Sequence, residues 1–153
     1  MIEAGDKVPK LKGVLKDGSA FALSSLAGKP YVIYFYPKDM TPGCTLEAQD
    51  FRDLYPKFKK LGAEIVGVSR DAPASHEKFA AKHALKFPLV ADTDEAWCNA
   101  FGVIGEKVLY GKKHVGVIRS TFLVGADGRI VAAWRNVRVP GHAEAVLERL
   151  AEQ

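Results

Sequence analysis

The sequence predicts an α/β chain: a central mixed sheet with helices on both faces and an N-terminal β-hairpin. Three observations carry this. Apolar runs of strand length at residues 31–36, 63–69 and 87–91 alternate with stretches of helical periodicity. A fourth run, residues 117–124, is followed by the turn Asp127-Gly128 and by residues 130–139, which pair with it as a hairpin. The order is therefore strand–helix–strand–helix–strand, then a hairpin and a closing helix, an order that layers helices on a sheet. With 153 residues and no internal repeat or linker, the chain reads as one domain over residues 1–153, long enough for its own core.

Residues 5–29 form an N-terminal cover. Asp17-Gly18 is a hairpin turn signal between short alternating runs, and the stretch from Ser24 to Pro30 breaks the chain before the central strand. That strand, residues 31–36, is continuously β-branched and aromatic, as a buried strand is. Pro37, Thr41, Pro42 and Gly43 then supply a turn. Phe51, Leu54, Tyr55, Phe58 and Leu61 recur at spacings of three and four, so a helix follows. Pro56 removes one hydrogen bond inside it and predicts a kink near residues 52–55. Pro73 suits the first turn of a second helix, whose apolar side is Phe79, Ala80 and Ala84. Residues 92–101 predict a short helix with Trp97, Cys98 and Phe101, the last two sharing its core face. Residues 102–116, rich in Gly and Lys, predict a long loop. Pro140-Gly141 precedes a last helix with Ala145, Val146, Leu147 and Leu150 at core spacings.

The chemistry concentrates at Cys44. It falls in the first turn of a helix that leaves the C-terminal end of a buried strand, the sheet edge where sites gather in open α/β folds. A thiolate is the nucleophilic form of cysteine, and the free N–H groups of a helix N-terminus favour an anion. The alternative is an inert cysteine packed as a small apolar group. Arg119 is the second notable residue. In a strand over 117–124, Val117, Arg119, Thr121 and Leu123 share one face, and Ile118, Ser120, Phe122 and Val124 the other. A guanidinium in an apolar strand is costly unless an anion pairs with it. The Cys44 thiolate and Glu47, one turn into the same helix, are the candidate partners; a wet strand face or a structural ion pair elsewhere is the alternative. Thr41 can donate to the sulfur or a substrate oxygen, accept from one, or simply cap the turn. Pro37 and Pro42 bring no competing N–H and can shield the sulfur. The N–H groups of Gly43 and Cys44 face the helix end.

Pro37-x-x-x-Thr41-x-x-Cys44 resembles the active-site signature of the peroxiredoxins, thiol peroxidases of thioredoxin-like fold. The local form FYPKDMTPGCTLEAQDFRD is similar to their Q-type branch, also called bacterioferritin-comigratory proteins, and Arg119 in IRSTFLV matches the family arginine. The likeness runs from about Gly5 to the C-terminus. It implies a thioredoxin-like fold and a site of Cys44, Thr41 and Arg119, with Pro37, Pro42, Gly43 and Glu47 positioning the substrate. It implies displacement on an O–O bond, in which Cys44 becomes a sulfenic acid. The implied substrates are hydrogen peroxide and small organic hydroperoxides, and the implied reductant is thioredoxin or another thiol. No cofactor or metal is required. Some Q-type members carry a resolving cysteine where this chain has Gln49, and others where it has Ala80. Either one catalytic cysteine suffices or a resolving cysteine has been replaced. Cys98 is the only other sulfur that could resolve, and its position equally suits a buried structural thiol.

Composition bounds the rest. Apolar residues make up 48% and charged residues 26%, ordinary for a globular protein. The net charge of +4 comes from basic residues scattered among acids, which reads as solvated faces rather than a nucleic-acid surface. The start lacks an apolar leader, and no run approaches a membrane span, so no membrane partner is expected. Two cysteines are too few for a secreted disulfide scaffold, and a reactive thiol suits a reducing compartment, the cytoplasm of a bacterium. A monomer is expected rather than a dimer. The four histidines are too scattered, and the cysteines too few, for a zinc site. Two rival readings share the fold: a thioredoxin-like thiol transferase, for which the first cysteine of Cys-x-x-Cys is missing, and a non-catalytic thioredoxin-fold binding module.

Overall fold

Strand β3 (Tyr31–Phe35) is central because all five of its side chains are buried. The computed structural model describes residues 2–153. β3 runs parallel to β4 (Glu64–Ser69), which runs parallel to β5 (Leu89–Ala91). On its other side β3 is antiparallel to β8 (Ser120–Val124), which pairs antiparallel with β9 (Ile130–Arg135). The mixed five-stranded sheet thus has the order β5-β4-β3-β8-β9, the predicted thioredoxin-like arrangement. The two-residue period of β3 divides the interior. Val32, Tyr34 and Tyr36 face one core, built with helices α1 (Pro42–Lys60), α2 (Pro73–His83) and α4 (His142–Ala151). Tyr31, Ile33 and Phe35 face the other, built with α3 (Ala96–Phe101) and covered by the hairpin β1 (Lys12–Val14) and β2 (Ala20–Ala22). Each fully buried large side chain, such as Phe51 or Phe122, contributes about 1.5–3 kcal/mol of transfer free energy.

Three local expectations are corrected. Residues 102–116 are not a loop: Ile104–Leu109 (β6) and Lys112–Val117 (β7) form an antiparallel hairpin. Its polar and glycine-rich composition hides it, because it is held mainly by its own cross-strand pairs and much of it is exposed. The fourth strand begins at Ser120, not at Val117, so the alternation expected across Arg119 is broken. Val117 is buried with Phe122 and Val124, whereas Leu123 faces the opposite core. Leu61, Ala84 and Ala145 are exposed. Leu61 and Ala84 cap their helices, Ala84 in the left-handed region at φ 53°, and Ala143 takes the core position expected of Ala145. Helix α1 runs on through Pro56 to Lys60.

Candidate active site

Sheet topology brings the two ends of the site together. Because β8 is antiparallel to β3, Ser120 pairs with Phe35 at the strand's C-terminal end. Arg119, just ahead of Ser120, is therefore delivered to the edge from which α1 departs. Thr41 is the N-cap of α1 and Pro42 its first residue, which places Gly43 and Cys44 in the first turn. The N–H groups of that turn have no acceptor within the helix, and the first helical bond is made by Thr45 N–H to Thr41 O at 2.9 Å. Cys44 is 1% exposed.

Arg119 joins the two anions expected of it. One N–H donates to Cys44 Sγ at 3.4 Å and another to Glu47 Oε1 at 2.7 Å. Burial alone would lower the guanidinium pKa, but Glu47 and Cys44 outweigh it and raise it, so the cation is fixed. Gly43 makes the approach possible: a Cβ there would stand 3.2 Å from Arg119 Nη2. Glu47 is 1% exposed, and desolvation pushes its carboxyl up to about 7 against the pull of Arg119. Its second oxygen, Oε2, has no hydrogen-bond partner, and neither has the Tyr34 hydroxyl. Desolvation, then Glu47 and Cys44, raise the Tyr34 pKa well above its ordinary value, so the phenol stays neutral.

Thr41 does not donate to the sulfur. Its hydroxyl donates to Lys38 O at 2.7 Å, which leaves its lone pairs as acceptors for an incoming O–H. Pro37 is half-buried and Pro42 exposed, flanking that loop. Lys107 on β6 also feels the site: burial and the Arg119 and Arg70 charges lower its ammonium pKa, with Cys44 opposing. Its place in a segment read as a loop concealed it.

The remaining sequence candidates lie apart. Cys98 sits in the core on the opposite face of the sheet, beside Phe35 and Phe101, whereas Cys44 packs with Tyr34 and Tyr36. Both thiols are free. Desolvation, then Asp92, push the Cys98 thiol far up. Ala80 is buried in the core that contains Cys44. Gln49 Nε2 lies 3.4 Å from His83 Nδ1 on α2.

Sequence reasoning missed one group altogether. Asp39, Asp71 and His76 place donor atoms within 4.8 Å of one another, the one grouping of metal-ligand type among the described residues. Hydrogen bonds already join them. Asp39 accepts from Tyr36 Oη at 2.6 Å, Ser75 Oγ at 2.9 Å and His76 Nδ1 at 2.7 Å. Asp71 accepts from the Asp39 N–H at 2.8 Å and from Ser69 Oγ at 2.6 Å. In the sequence Asp39 is an ordinary turn residue, and nothing there pairs it with a histidine in another helix.

Comparison with known proteins gives the chain's family and relatives. The AhpC/TSA family profile matches residues 4–133. The chain is 56% identical over 136 residues to Peroxiredoxin Bcp of Xanthomonas campestris, covering 89% of this chain and 85% of that protein. It is 45% identical over 151 residues to Peroxiredoxin Bcp of Bacillus subtilis, covering 99% and 96%. A solved structure of the X. campestris bacterioferritin comigratory protein, studied for alkyl peroxide reduction through trapped intermediate and ligand complexes, superposes with a TM-score of 0.88. That match has 54% identity and covers 93% of this chain and 90% of the other.

Proposed function

The chain belongs to the AhpC/TSA family, and on that premise we propose that Cys44 is its peroxidatic nucleophile, served by Arg119 and Thr41. The chain is a peroxiredoxin, a thiol-dependent peroxidase whose substrates are a peroxide and a thiol reductant. One observation supports the site assignment above others: the Arg119 guanidinium donates to Cys44 Sγ and Glu47 Oε1 at once. The cation lies against the sulfur and is already in place for charge that moves onto the peroxide oxygens.

Sγ attacks the terminal oxygen of a hydroperoxide. An S–O bond forms, the O–O bond breaks, and the attacked oxygen keeps its hydrogen as Cys44 sulfenic acid. The departing alkoxide or hydroxide takes a proton from solvent. Thr41 Oγ1, its own hydrogen committed to Lys38 O, accepts from the peroxide O–H and orients it. The N–H groups of Gly43 and Cys44 and the Arg119 fork stabilise the spreading negative charge. Pro37 and Pro42 border the entrance without adding donors. A thiol then attacks the sulfenic sulfur to give a mixed disulfide and water, and a second thiol restores Cys44.

Hydrogen peroxide and small organic hydroperoxides are the substrates in this reading, with thioredoxin or another dithiol as reductant, consistent with the alkyl peroxide reduction ascribed to the X. campestris relative. The protein acts as a monomer in this reading. A reactive thiol suits a reducing cytoplasm, with no nucleic acid or membrane as partner; no helix among the described residues is long and apolar enough to cross a membrane. The test is peroxide consumption in the presence of a dithiol. Wild-type protein should consume peroxide catalytically and Cys44→Ser should not; wild-type rates in Cys44→Ser would remove Cys44 from the role.

A further inference from the structure

We propose that Asp39 and His76 form a positioning pair that sets the Thr41–Cys44 turn for the peroxidase reaction. This rests on the assignment of Cys44 above. The pair is buried, with side-chain exposures of 1% for Asp39 and 0% for His76. The His76 ring nitrogens face two acceptors, Asp39 Oδ2 at 2.7 Å and Val90 O at 2.9 Å. A carbonyl oxygen can only accept, so Nε2 carries a proton. On the other side of the ring, Nδ1 shares one hydrogen bond with the Asp39 carboxyl, which also accepts from two hydroxyls. The His76 ring is thus locked between the active-site loop and β5.

The loop needs such an anchor. Between Tyr36 and Cys44, Asp39 is the only buried residue. Met40, next to it, is held in the left-handed region at φ 67°, a conformation that is unfavourable for a non-glycine residue. Asp39 is fixed on one side of Met40, and Thr41 is fixed on the other by its bond to Lys38 O. Without the Asp39 anchor, Met40 relaxes to negative φ. The N-cap Thr41 then rotates, and the first turn carrying Cys44 shifts relative to Arg119. Displacements of about 1 Å at a reacting centre cost on the order of 100-fold in rate.

The experiment compares His76→Leu, His76→Asn and Asp39→Asn with wild type. It reads the rate of peroxide reduction and the thiolate absorbance of Cys44 at neutral pH, taken as the difference from Cys44→Ser. His76→Leu should slow the reaction about 10- to 100-fold and reduce the thiolate signal. His76→Asn keeps a donor toward Asp39 and should stay closer to wild type on both. Adding Met40→Gly to His76→Leu, which removes the penalty for positive φ, should recover part of the rate. The absorbance reads the site whether or not the protein turns over peroxide, so failure of the functional assignment and failure of the pair are separable. If His76→Leu does not fold, Asp39→Asn carries the same comparison. A folded variant with lowered Tm but wild-type rate and thiolate signal would overturn the proposal, because the pair would then be structural only.

Discussion

Arg119 donates to the buried Glu47 carboxylate across 2.7 Å, and this bond decides how the arginine meets the sulfur. A guanidinium is a planar fork with fixed donor directions. With one arm held by Glu47, the other is aimed at Cys44 Sγ, 3.4 Å away.

Arg119→Ala should therefore slow peroxide reduction about 100-fold or more, the cost of losing one such donor, while the fold persists. Arg119→Lys should also be impaired, because an ammonium cannot hold Glu47 and reach Cys44 in the same geometry. Stopped-flow measurement of the rate with peroxide checks both. Near-normal rates in the two variants would take Arg119 out of the mechanism.

The Glu47 carboxyl makes stability depend on pH. Burial, partly offset by Arg119, raises it from 4.5 to about 7. The folded chain then binds the proton more tightly than the unfolded chain does. That stabilisation is complete below pH 4.5 and is lost as pH rises through 7. It spans about 3 kcal/mol at the conversion of 1.36 kcal/mol per unit. Glu47→Gln should lack this slope and should gain stability relative to wild type at pH 8 compared with pH 5. His142 works in the opposite sense: burial, then Arg119, lower it to about 4, so its contribution is present above 6.5 and is lost as pH falls through 4. The difference between variant and wild type cancels His142 and isolates Glu47. Urea unfolding at the two pH values measures it, and an equal stability difference at both would refute the assignment.

Much of this was legible beforehand, and the parts that were not share a physical cause. A strand buried on both faces announces itself by an unbroken apolar run, as residues 31–36 do. Cys44 stands out by its place after a Pro-rich turn, and Arg119 by its cost among apolar neighbours. The hairpin of β6 and β7 was hidden because partner strands that face solvent need no apolar alternation. The break at Ile118 and Arg119 was hidden because two strands meet there with only two residues between them, so one apolar run spans both. Asp39 and His76, like Tyr34 and Glu47, are meaningful only through their partners, and pairing across the fold leaves no trace in local pattern.

Gly67, in the middle of β4, has no side chain because two others fill its space. A Cβ there would lie 2.7 Å from Leu89 Cδ2 and 3.1 Å from the Tyr34 ring. Tyr34 cannot yield easily, since it stacks on Phe51 of α1 with centroids 4.7 Å apart. Gly67→Ala should cost about 1–3 kcal/mol of overpacking, a Tm loss of roughly 3–10 °C for a chain of this size. Thermal unfolding followed by circular dichroism gives the answer, and an unchanged Tm would show that the two side chains move aside freely.

The fate of the Cys44 sulfenic acid follows from where the second sulfur lies. Cys98 belongs to the core on the far face of the sheet from Cys44. A disulfide requires Cα atoms within about 7 Å, so bridging the two would require the sheet or both helix starts to open. The start of α3 is fastened against that: Asp92 accepts from the Trp97 N–H at 3.0 Å and the Cys98 N–H at 2.8 Å. The thiol is also unreactive, since desolvation and then Asp92 hold it protonated, and a protonated thiol is a poor nucleophile. Ala80 and Gln49, the positions where the family resemblance would put a resolving thiol, carry no sulfur. Gln49 instead lies against His83, and Arg52 donates to the His83 carbonyl at 3.0 Å, so α1 and α2 are tied where a resolving thiol would have to act. The oxidised protein should hold its sulfenic acid until an external thiol attacks, and should advance to sulfinic acid under excess peroxide. Mass spectrometry after about one equivalent of peroxide should find the added oxygen on Cys44 with Cys98 still reduced; a Cys44–Cys98 disulfide as the main product would mean that the sheet opens on the timescale of turnover and that Cys98 is the resolving residue.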